Sequence, residues 1–114
     1  MIDLPSSQPP KVICLGEGLV DRLGRPGEQF KEGSIYEDYF GGAPANVACG
    51  LARLGTSVAF VGRLGDDQIG ERFKKIMLER GIQLNALQKD NDRPTRIVKV
   101  RRDINGDRSF EGFW

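Results

Sequence analysis

Three features of the sequence predict an α/β fold. Two short apolar runs, 12–15 and 57–61, each end at a glycine, as buried strands of a parallel sheet often do. A helix-forming segment separates them, and a strand–helix–strand order implies a right-handed crossover between parallel strands. Near the end of the chain, Asn105-Gly106 separates two strand-like runs, which indicates a β-hairpin. We therefore expect an α/β core with an added hairpin.

The segments around the first strand are short and rich in turn residues. Three prolines among the first ten residues predict a flexible leader over 1–10, so the ordered domain is expected over 11–114. Turn-forming residues dominate 24–33. The aromatic stretch 36–40 is expected to be extended and to lead into Gly41-Gly42.

The segment 45–54 is the clearest predicted helix because good helix formers dominate it. Pro44 fits the first turn, where its missing N–H costs nothing. Gly55 stands where helices often end. Small residues on this helix allow it to approach a neighbouring element closely.

A second helix is predicted after the second strand. Asp66 or Asp67 is a suitable N-cap for it, apolar residues follow at helical spacing, and Gly81 marks its end. Residues 82–88 are expected to form a third strand of the core. A coil over 89–94 then joins the core to the hairpin.

Composition excludes several classes of protein. The 114 residues fit one domain, and 17 basic against 16 acidic side chains give a net charge of +1, which argues against nucleic-acid partners. No apolar run approaches the ~20 residues of a membrane span, and no secretory signal opens the chain, so we expect no membrane partner and a cytoplasmic location. The absence of histidine excludes histidine-based catalysis and metal sites. Cys14 and Cys49 are expected to be small buried apolar groups.

The run Gly16-Glu17-Gly18 after the first strand invites a dinucleotide-binding interpretation. That fingerprint needs a third small residue three positions later, where this chain has Asp21. An acid there would face a pyrophosphate, and the chain has no GxxxxGK[ST] motif, so neither phosphate site is predicted. Asp21 keeps two interpretations: a solvated turn carboxylate, or an acceptor for ligand hydroxyls at the end of the first strand, where α/β sheets bind ligands.

The run GGAPAN, residues 41–46, precedes the first helix. Its glycines permit close approach of a ligand to the backbone, and the N–H groups of a helix N-terminus bind oxygen atoms. Asn46 adds a side-chain donor and acceptor. Because the run contains no lysine or arginine, a neutral polyhydroxylated ligand suits it better than a phosphate. The alternative is an ordinary loop-to-helix transition in which Asn46 satisfies the backbone.

The remaining charged and aromatic residues have simpler interpretations. The paired acids Asp66-Asp67 favour helix capping. Hairpin arginines such as Arg108 are either solvated edge charges or, for one of them, a ligand contact. Hairpin aromatics such as Phe110 form either an apolar cover or the underside of a small sheet.

Several segments together resemble one known family. GGAPANVACGLARLG (41–55), followed by VGRLGDDQIGERF (61–73), is similar to the N-terminal signature of the PfkB carbohydrate kinases, which have the ribokinase-like fold. ICLGEGLVD (13–21) matches the family's first strand and substrate-binding acid, and PTRIVKVRRDINGDRSFEGF (94–113) is similar to its lid hairpin. The resemblance covers nearly the whole chain from Lys11 and is greatest for the fructokinase branch.

The resemblance implies a three-layer α/β/α core with a small β-sheet lid, of which this chain is the N-terminal portion. Lid segments are implied at about 24–40 and 95–113, with Arg108 and Phe110 as lid contacts. By position, four residues would hold the sugar hydroxyls: Asp21, Gly41, Gly42 and Asn46.

The implied reaction is transfer of the ATP γ-phosphate to a sugar hydroxyl with Mg²⁺. The family's catalytic aspartate and most of its ATP site are expected downstream of Trp114, so no catalytic residue or metal ligand is assigned within the chain, and the chain alone is predicted to be inactive. Nucleoside or 2-keto-3-deoxygluconate kinase activity, or an inactive interaction protein, remain alternatives. A homodimer formed through the lid is also implied.

Overall fold

The computed structural model describes residues 9–113, so most of the expected leader and Trp114 lie outside the described part of the chain. Eight strands and two helices occur within those residues. In chain order they are β1 (Val12–Leu15), β2 (Leu19–Gly24), β3 (Tyr36–Gly41), α1 (Ala43–Arg53), β4 (Val58–Val61), β5 (Arg63–Gly65), α2 (Gln68–Glu79), β6 (Gln88–Asp90), β7 (Ile97–Arg102) and β8 (Arg108–Phe113).

The helical core consists of β1, β4, α1 and α2. The two strands pair in parallel, as the sequence predicts, with Cys14 opposite Phe60. Alternation along these strands turns one face toward both helices and the other away from them. The inward face and the helices share one cluster of buried residues with β5 and the turn after α2: Cys14, Ala45, Ala48, Val58, Phe60, Leu64, Phe73, Met77 and Ile82. The described residues thus supply a helical layer on one face of this sheet, while Ile13 and Leu15 on the other face are exposed.

The predicted helix ends are confirmed. Pro44 lies in the first turn of α1, and Gly55 follows the helix at a φ of 85°. Asp67, not Asp66, caps α2 by accepting a hydrogen bond from the Gly70 N–H at 2.7 Å. Gly81 follows α2 at a φ of 80°.

The prediction of a third core strand over 82–88 is wrong. Only an isolated bridge between Ala59 and Gln83 marks its place beside β4. The strand that does form, β6, comes later and pairs in parallel with β5 in a separate two-stranded sheet. The chain turns over 84–87, and the Leu87 N–H donates to the Leu84 carbonyl at 3.1 Å.

A four-stranded sheet with the order β3-β2-β7-β8 holds the rest of the regular structure. The central pair, β2 and β7, is parallel, and the outer strands are antiparallel to their neighbours. The Asn105-Gly106 hairpin is confirmed, and the Asp103 carboxylate closes its loop by accepting the N–H groups of Asn105 and Asp107 at 2.8 and 2.9 Å.

Neither of the two helices in residues 9–113 is long and apolar enough to span a membrane.

Candidate functional site

Asp21 lies inside the four-stranded sheet. The expectation that it ends the first strand is wrong, because β1 stops at Leu15 and the chain turns into a separate strand, β2, of which Asp21 is the third residue. Its neighbours in register are Tyr39 on β3 and Val98 on β7. The side chain therefore projects from a central strand and not from a mobile turn, which removes the solvated-turn interpretation.

The Asp21 carboxylate makes no hydrogen bond or ion pair within residues 9–113. Partial burial raises the pKa of this group, and the positive charge of Arg108 lowers it by a smaller amount. A half-buried carboxylate that lacks a donor is costly to keep, since desolvated charges are normally paired. Its acceptor capacity is available to hydroxyl groups brought by a ligand.

Gly41 and Gly42 carry the backbone past this carboxylate. A Cβ atom on Gly41 would lie 2.8 Å from Asp21 Oδ2, so any side chain there would displace the carboxylate. Gly42 has a φ of 97° and packs against the Glu17 carbonyl, where a Cβ would overlap. Glycine is required at Gly42 on both counts, the left-handed conformation and the close backbone contact.

The N-terminus of α1 opens beside this backbone. Its N-cap is Gly42, which supplies no side-chain cap, and Pro44 contributes no N–H in the first turn. The Asn46 N–H donates to the Gly42 carbonyl at 2.8 Å as the first helical bond, while the Asn46 side chain is exposed. No backbone group within residues 9–113 binds that side chain, so the structure does not support its role as a cap.

Arg108 and Phe110 share a face of the four-stranded sheet with Asp21. Arg108 pairs with Arg102 of β7, and Phe110 pairs with Val100. Because side chains alternate along a strand, Arg102, Val100 and Val98 all lie on one face of β7, and Val98 pairs with Asp21. Phe110 is 69% exposed. The structure therefore places the two predicted lid residues on the same face as Asp21, on the outer strand β8.

Tyr39 and Phe40 divide between the two faces of β3. Tyr39 is exposed on the face of Asp21, where its hydroxyl donates to Glu37 Oε2 at 2.5 Å. Hydrogen bonding to Glu37 raises the pKa of the Tyr39 phenol. Phe40 packs edge-on against Phe73 of α2, with ring centroids 5.0 Å apart. Phe40 thus packs β3 against the core, while the neighbouring Tyr39 lies on the face of Asp21.

Sequence reasoning missed the residues that connect the site to the core. The Arg96 guanidinium donates to Glu17 Oε2 at 2.7 Å, and Asp67 binds Thr95 as well as capping its helix. These contacts join segments 28 or more residues apart. The paired acids Asp66-Asp67 predicted a helix cap, but a cap is a local feature, so this pattern could not predict the contact between Asp67 and Thr95.

The described residues do not fit a Mg²⁺–ATP complex. No group of three or more acidic or cysteine side chains in residues 9–113 is arranged to hold a metal ion. The 41–46 run also contains no lysine or arginine to neutralise a triphosphate. The Asp21 carboxylate and the glycine backbone beside it are suited to neutral hydroxyl groups.

Residues 9–114 match the pfkB family of carbohydrate kinases, and the chain belongs to that family. Among its relatives, fructokinase from Escherichia coli is 39% identical over 100 residues, which cover 88% of this chain and 31% of that enzyme. The chain therefore spans about a third of the length of such relatives.

Solved structures agree with this assignment. Fructokinase from Xylella fastidiosa superposes with a TM-score of 0.78 at 36% identity, over 90% of this chain and 31% of that one, and it has also been solved with bound ATP. Ribokinase from Arabidopsis thaliana, in complex with ribose and ATP, superposes with a TM-score of 0.79 at 26% identity, over 91% of this chain and 36% of that one. The fold is thus ribokinase-like, and the chain corresponds to its N-terminal part.

Proposed function

We propose that this chain forms the sugar-binding part of a fructokinase-like kinase, which transfers the γ-phosphate of ATP to a sugar hydroxyl. The observation that carries the proposal is the Asp21 carboxylate, half-buried and without a donor in residues 9–113, beside the Gly41-Gly42 backbone. A sugar brings several hydroxyl donors in a small volume, which satisfies such an acceptor.

Three groups bind the sugar in this proposal. Asp21 accepts hydroxyl protons in charge-assisted hydrogen bonds. The Gly41-Gly42 backbone lets the ring approach because no side chain intervenes. Asn46, exposed at the start of α1, donates to one oxygen and accepts from another hydroxyl.

The four-stranded sheet acts as the lid. Arg108 and Phe110 lie on the same face as Asp21, and a sugar held by Asp21 is covered from that side. Covering the sugar excludes water, which otherwise competes as acceptor of the phosphoryl group. The 114-residue chain alone is expected to show no turnover with ATP, Mg²⁺ and fructose, because the proposed catalytic base and nucleotide site belong to a downstream segment.

Binding of D-fructose to the chain tests the proposal directly. In calorimetric titrations, Asp21→Asn should weaken binding at least about tenfold, since a hydrogen bond to a charged group is lost. Asp66→Asn is the matched control, because Asp66 is an exposed carboxylate paired with Lys89 on the β5–β6 sheet. Equal affinities for wild type and Asp21→Asn, or no binding of fructose by the wild type, would contradict the proposal.

A sugar acid such as 2-keto-3-deoxygluconate is the second candidate ligand, and Arg108 is the observation that favours it. Its charge acts on Asp21 and would also pair with a ligand carboxylate. In parallel titrations, Arg108→Gln should weaken the sugar acid at least about tenfold and fructose by less, if the sugar acid is the ligand. Adenosine in the same panel tests the nucleoside alternative.

A second copy of the chain is the proposed partner. Phe110 and Tyr39 are 69% and 53% exposed on the site face of the four-stranded sheet, and exposed aromatic residues are typical of association surfaces. Sedimentation of Phe110→Glu should show a weaker dimer than the wild type. A wild-type chain that remains monomeric at high concentration would contradict this part of the proposal.

A further inference from the structure

Asp67 makes more contacts than a helix cap requires. Its Oδ1 accepts the Gly70 N–H at 2.7 Å, which is the cap, and also the Thr95 hydroxyl at 2.8 Å. Its Oδ2 accepts the Thr95 N–H at 2.7 Å. One carboxylate therefore holds the start of α2 and the residue two positions before β7 at the same time.

The surroundings of this contact are closely packed. Thr95 is 2% exposed, and its hydroxyl accepts the Gly65 N–H at 3.0 Å. A Cβ on Gly65 would lie 2.6 Å from Asp67 Oδ2, and one on Gly70 would lie 2.9 Å from the Thr95 hydroxyl oxygen. Glycine at both positions lets the two chain segments meet without a gap, so Asp67 and Thr95 have little freedom to separate.

The segment after Thr95 leads directly to the sugar site. The Arg96 carbonyl accepts the Val20 N–H at 2.9 Å, and Val20 precedes Asp21 in β2. The Arg96 guanidinium bonds to Glu17 at 2.7 Å, and the Glu17 carbonyl is the group against which Gly42 packs. A shift of Thr95 would therefore move both sides of the site.

We infer that Asp67 is a positioning residue for the sugar site, because it clamps Thr95, in the segment that leads into β7, to the start of α2. The inference rests on the proposed function for the identity of the ligand. Asp67 touches neither Asp21 nor the Gly41-Gly42 backbone and acts through Thr95 and Arg96. The four-stranded sheet is joined to the core at this point by a carboxylate and not by apolar packing.

The charge state of Asp67 is consistent with this role. Burial acts to raise its pKa, but hydrogen bonds from Thr95 and Gly70 outweigh that effect and lower it. The group is thus ionised at neutral pH and accepts all three hydrogen bonds. Charge-assisted bonds of this kind are stronger than those between neutral groups.

Asp67→Asn separates the clamp from the cap. Asparagine caps helices about as well as aspartate, so the bond from Gly70 is retained, but its amide NH₂ cannot accept the Thr95 N–H. By hydrogen exchange and mass spectrometry of the 114-residue chain, peptides within 96–102 and 19–24 should exchange about tenfold faster, while α2 peptides stay unchanged. The dissociation constant for D-fructose should rise about tenfold.

Thr95 provides the matched pair of variants. Thr95→Val keeps the shape of the side chain and loses the hydroxyl bridge, so it should show the same pattern as Asp67→Asn with a smaller effect. Thr95→Ser keeps the hydroxyl and should behave as wild type. A merely structural role, in which packing alone matters, predicts the reverse order because serine lacks the methyl group.

The outcomes separate the clamp from the proposed ligand. Exchange within about twofold of wild type at 96–102, or acceleration of α2 by the same factor, would overturn the inference. Unchanged fructose affinity despite faster exchange would overturn it too. If the wild type binds no fructose, the proposed function fails. Faster exchange at 96–102 and 19–24 in Asp67→Asn would still support the clamp, whereas unchanged exchange there would overturn it.

Discussion

The helical core and the four-stranded sheet are stabilised in different ways. The core has one cluster of nine buried residues, seven from its two strands and two helices, together with Leu64 of β5 and Ile82 after α2. The four-stranded sheet has a smaller cluster of three buried residues, Leu23, Val98 and Val100, with Leu19 packed against them, and it also buries Val20. Many of its other side chains are charged or aromatic, and the Arg22–Asp38 ion pair links β2 to β3.

This difference matches the division of tasks in the proposed function. A well-packed core fixes α1, whose N-terminus faces the ligand, because close packing resists small displacements. A sheet with few buried residues leaves its polar groups available for a sugar. Elements that move in binding are drawn from such weakly packed regions.

The largest expected effect distinguishes buried from exposed phenylalanine. Phe60 in the core is fully buried, and Phe60→Ala should lower the free energy of unfolding by about 3–5 kcal/mol because it leaves a cavity. Phe110→Ala in the sheet is the control and should cost less than about 0.5 kcal/mol in the monomer. Urea unfolding measures both, and equal losses would show that the two regions are packed alike.

Gly42, where the two regions meet, should give the next largest effect. Gly42→Ala places a Cβ at positive φ and against the Glu17 carbonyl, so we expect a loss of at least about 2 kcal/mol in unfolding free energy. Gly50→Ala in the middle of α1 meets no atom within 4 Å and should stabilise by about 0.5–1 kcal/mol. If both variants lose stability equally, the tight contact at Gly42 is not the cause.

A smaller effect is expected from the ion pair inside the four-stranded sheet. Arg22 on β2 binds both carboxylate oxygens of Asp38 on β3 at 2.9 and 3.0 Å and lies 4.0 Å from the centre of the Tyr36 ring. Arg22→Gln should cost about 1 kcal/mol in unfolding free energy, since both partners are only 20% exposed. Arg63→Gln is the control, because the Arg63 side chain is 56% exposed and its pair with Asp90 should contribute less. A larger loss for Arg63→Gln would reverse this ranking.

Asp21→Asn should give the smallest change in the free energy of unfolding, and the change should be a gain, whereas Phe60→Ala, Gly42→Ala and Arg22→Gln should each give a loss. Because the folded-state pKa of Asp21 lies above its unfolded value, the ionised group disfavours folding at neutral pH, and this penalty disappears as the pH falls through the folded pKa toward the unfolded one. The variant should therefore unfold at slightly higher urea than wild type at pH 7, with no such advantage in acid. A variant less stable than wild type at pH 7 would show that Asp21 is satisfied within the chain.

Local features of the sequence were reliable guides where one residue type determines the structure. Pro44 and Gly55 fixed the ends of α1, because each restricts or permits a particular backbone conformation. Asn105-Gly106 marked the hairpin for the same reason. The GGAPAN run was singled out for the close backbone approach that its glycines permit, and a Cβ on Gly41 would indeed lie 2.8 Å from Asp21 Oδ2.

Features that depend on distant partners were not predictable in this way. Asp21 was expected at the end of the first strand, but its strand pairs with β3 and β7 in another sheet, and no short-range pattern specifies that pairing. The third core strand did not form, because the chain turns over 84–87 directly after the single bridge from Gln83 to β4.

The sequence alone therefore determined the α/β class, the helix ends, the hairpin and the residue types of the proposed hydroxyl-binding site, since these follow from backbone preferences and residue chemistry. Only the tertiary structure decided that Asp21 lies in a four-stranded sheet, that Arg108 and Phe110 share its face, and that Asp67 reaches Thr95. The physical reason is sequence separation: these contacts form between segments brought together by strand pairing and core packing, and no local preference encodes them.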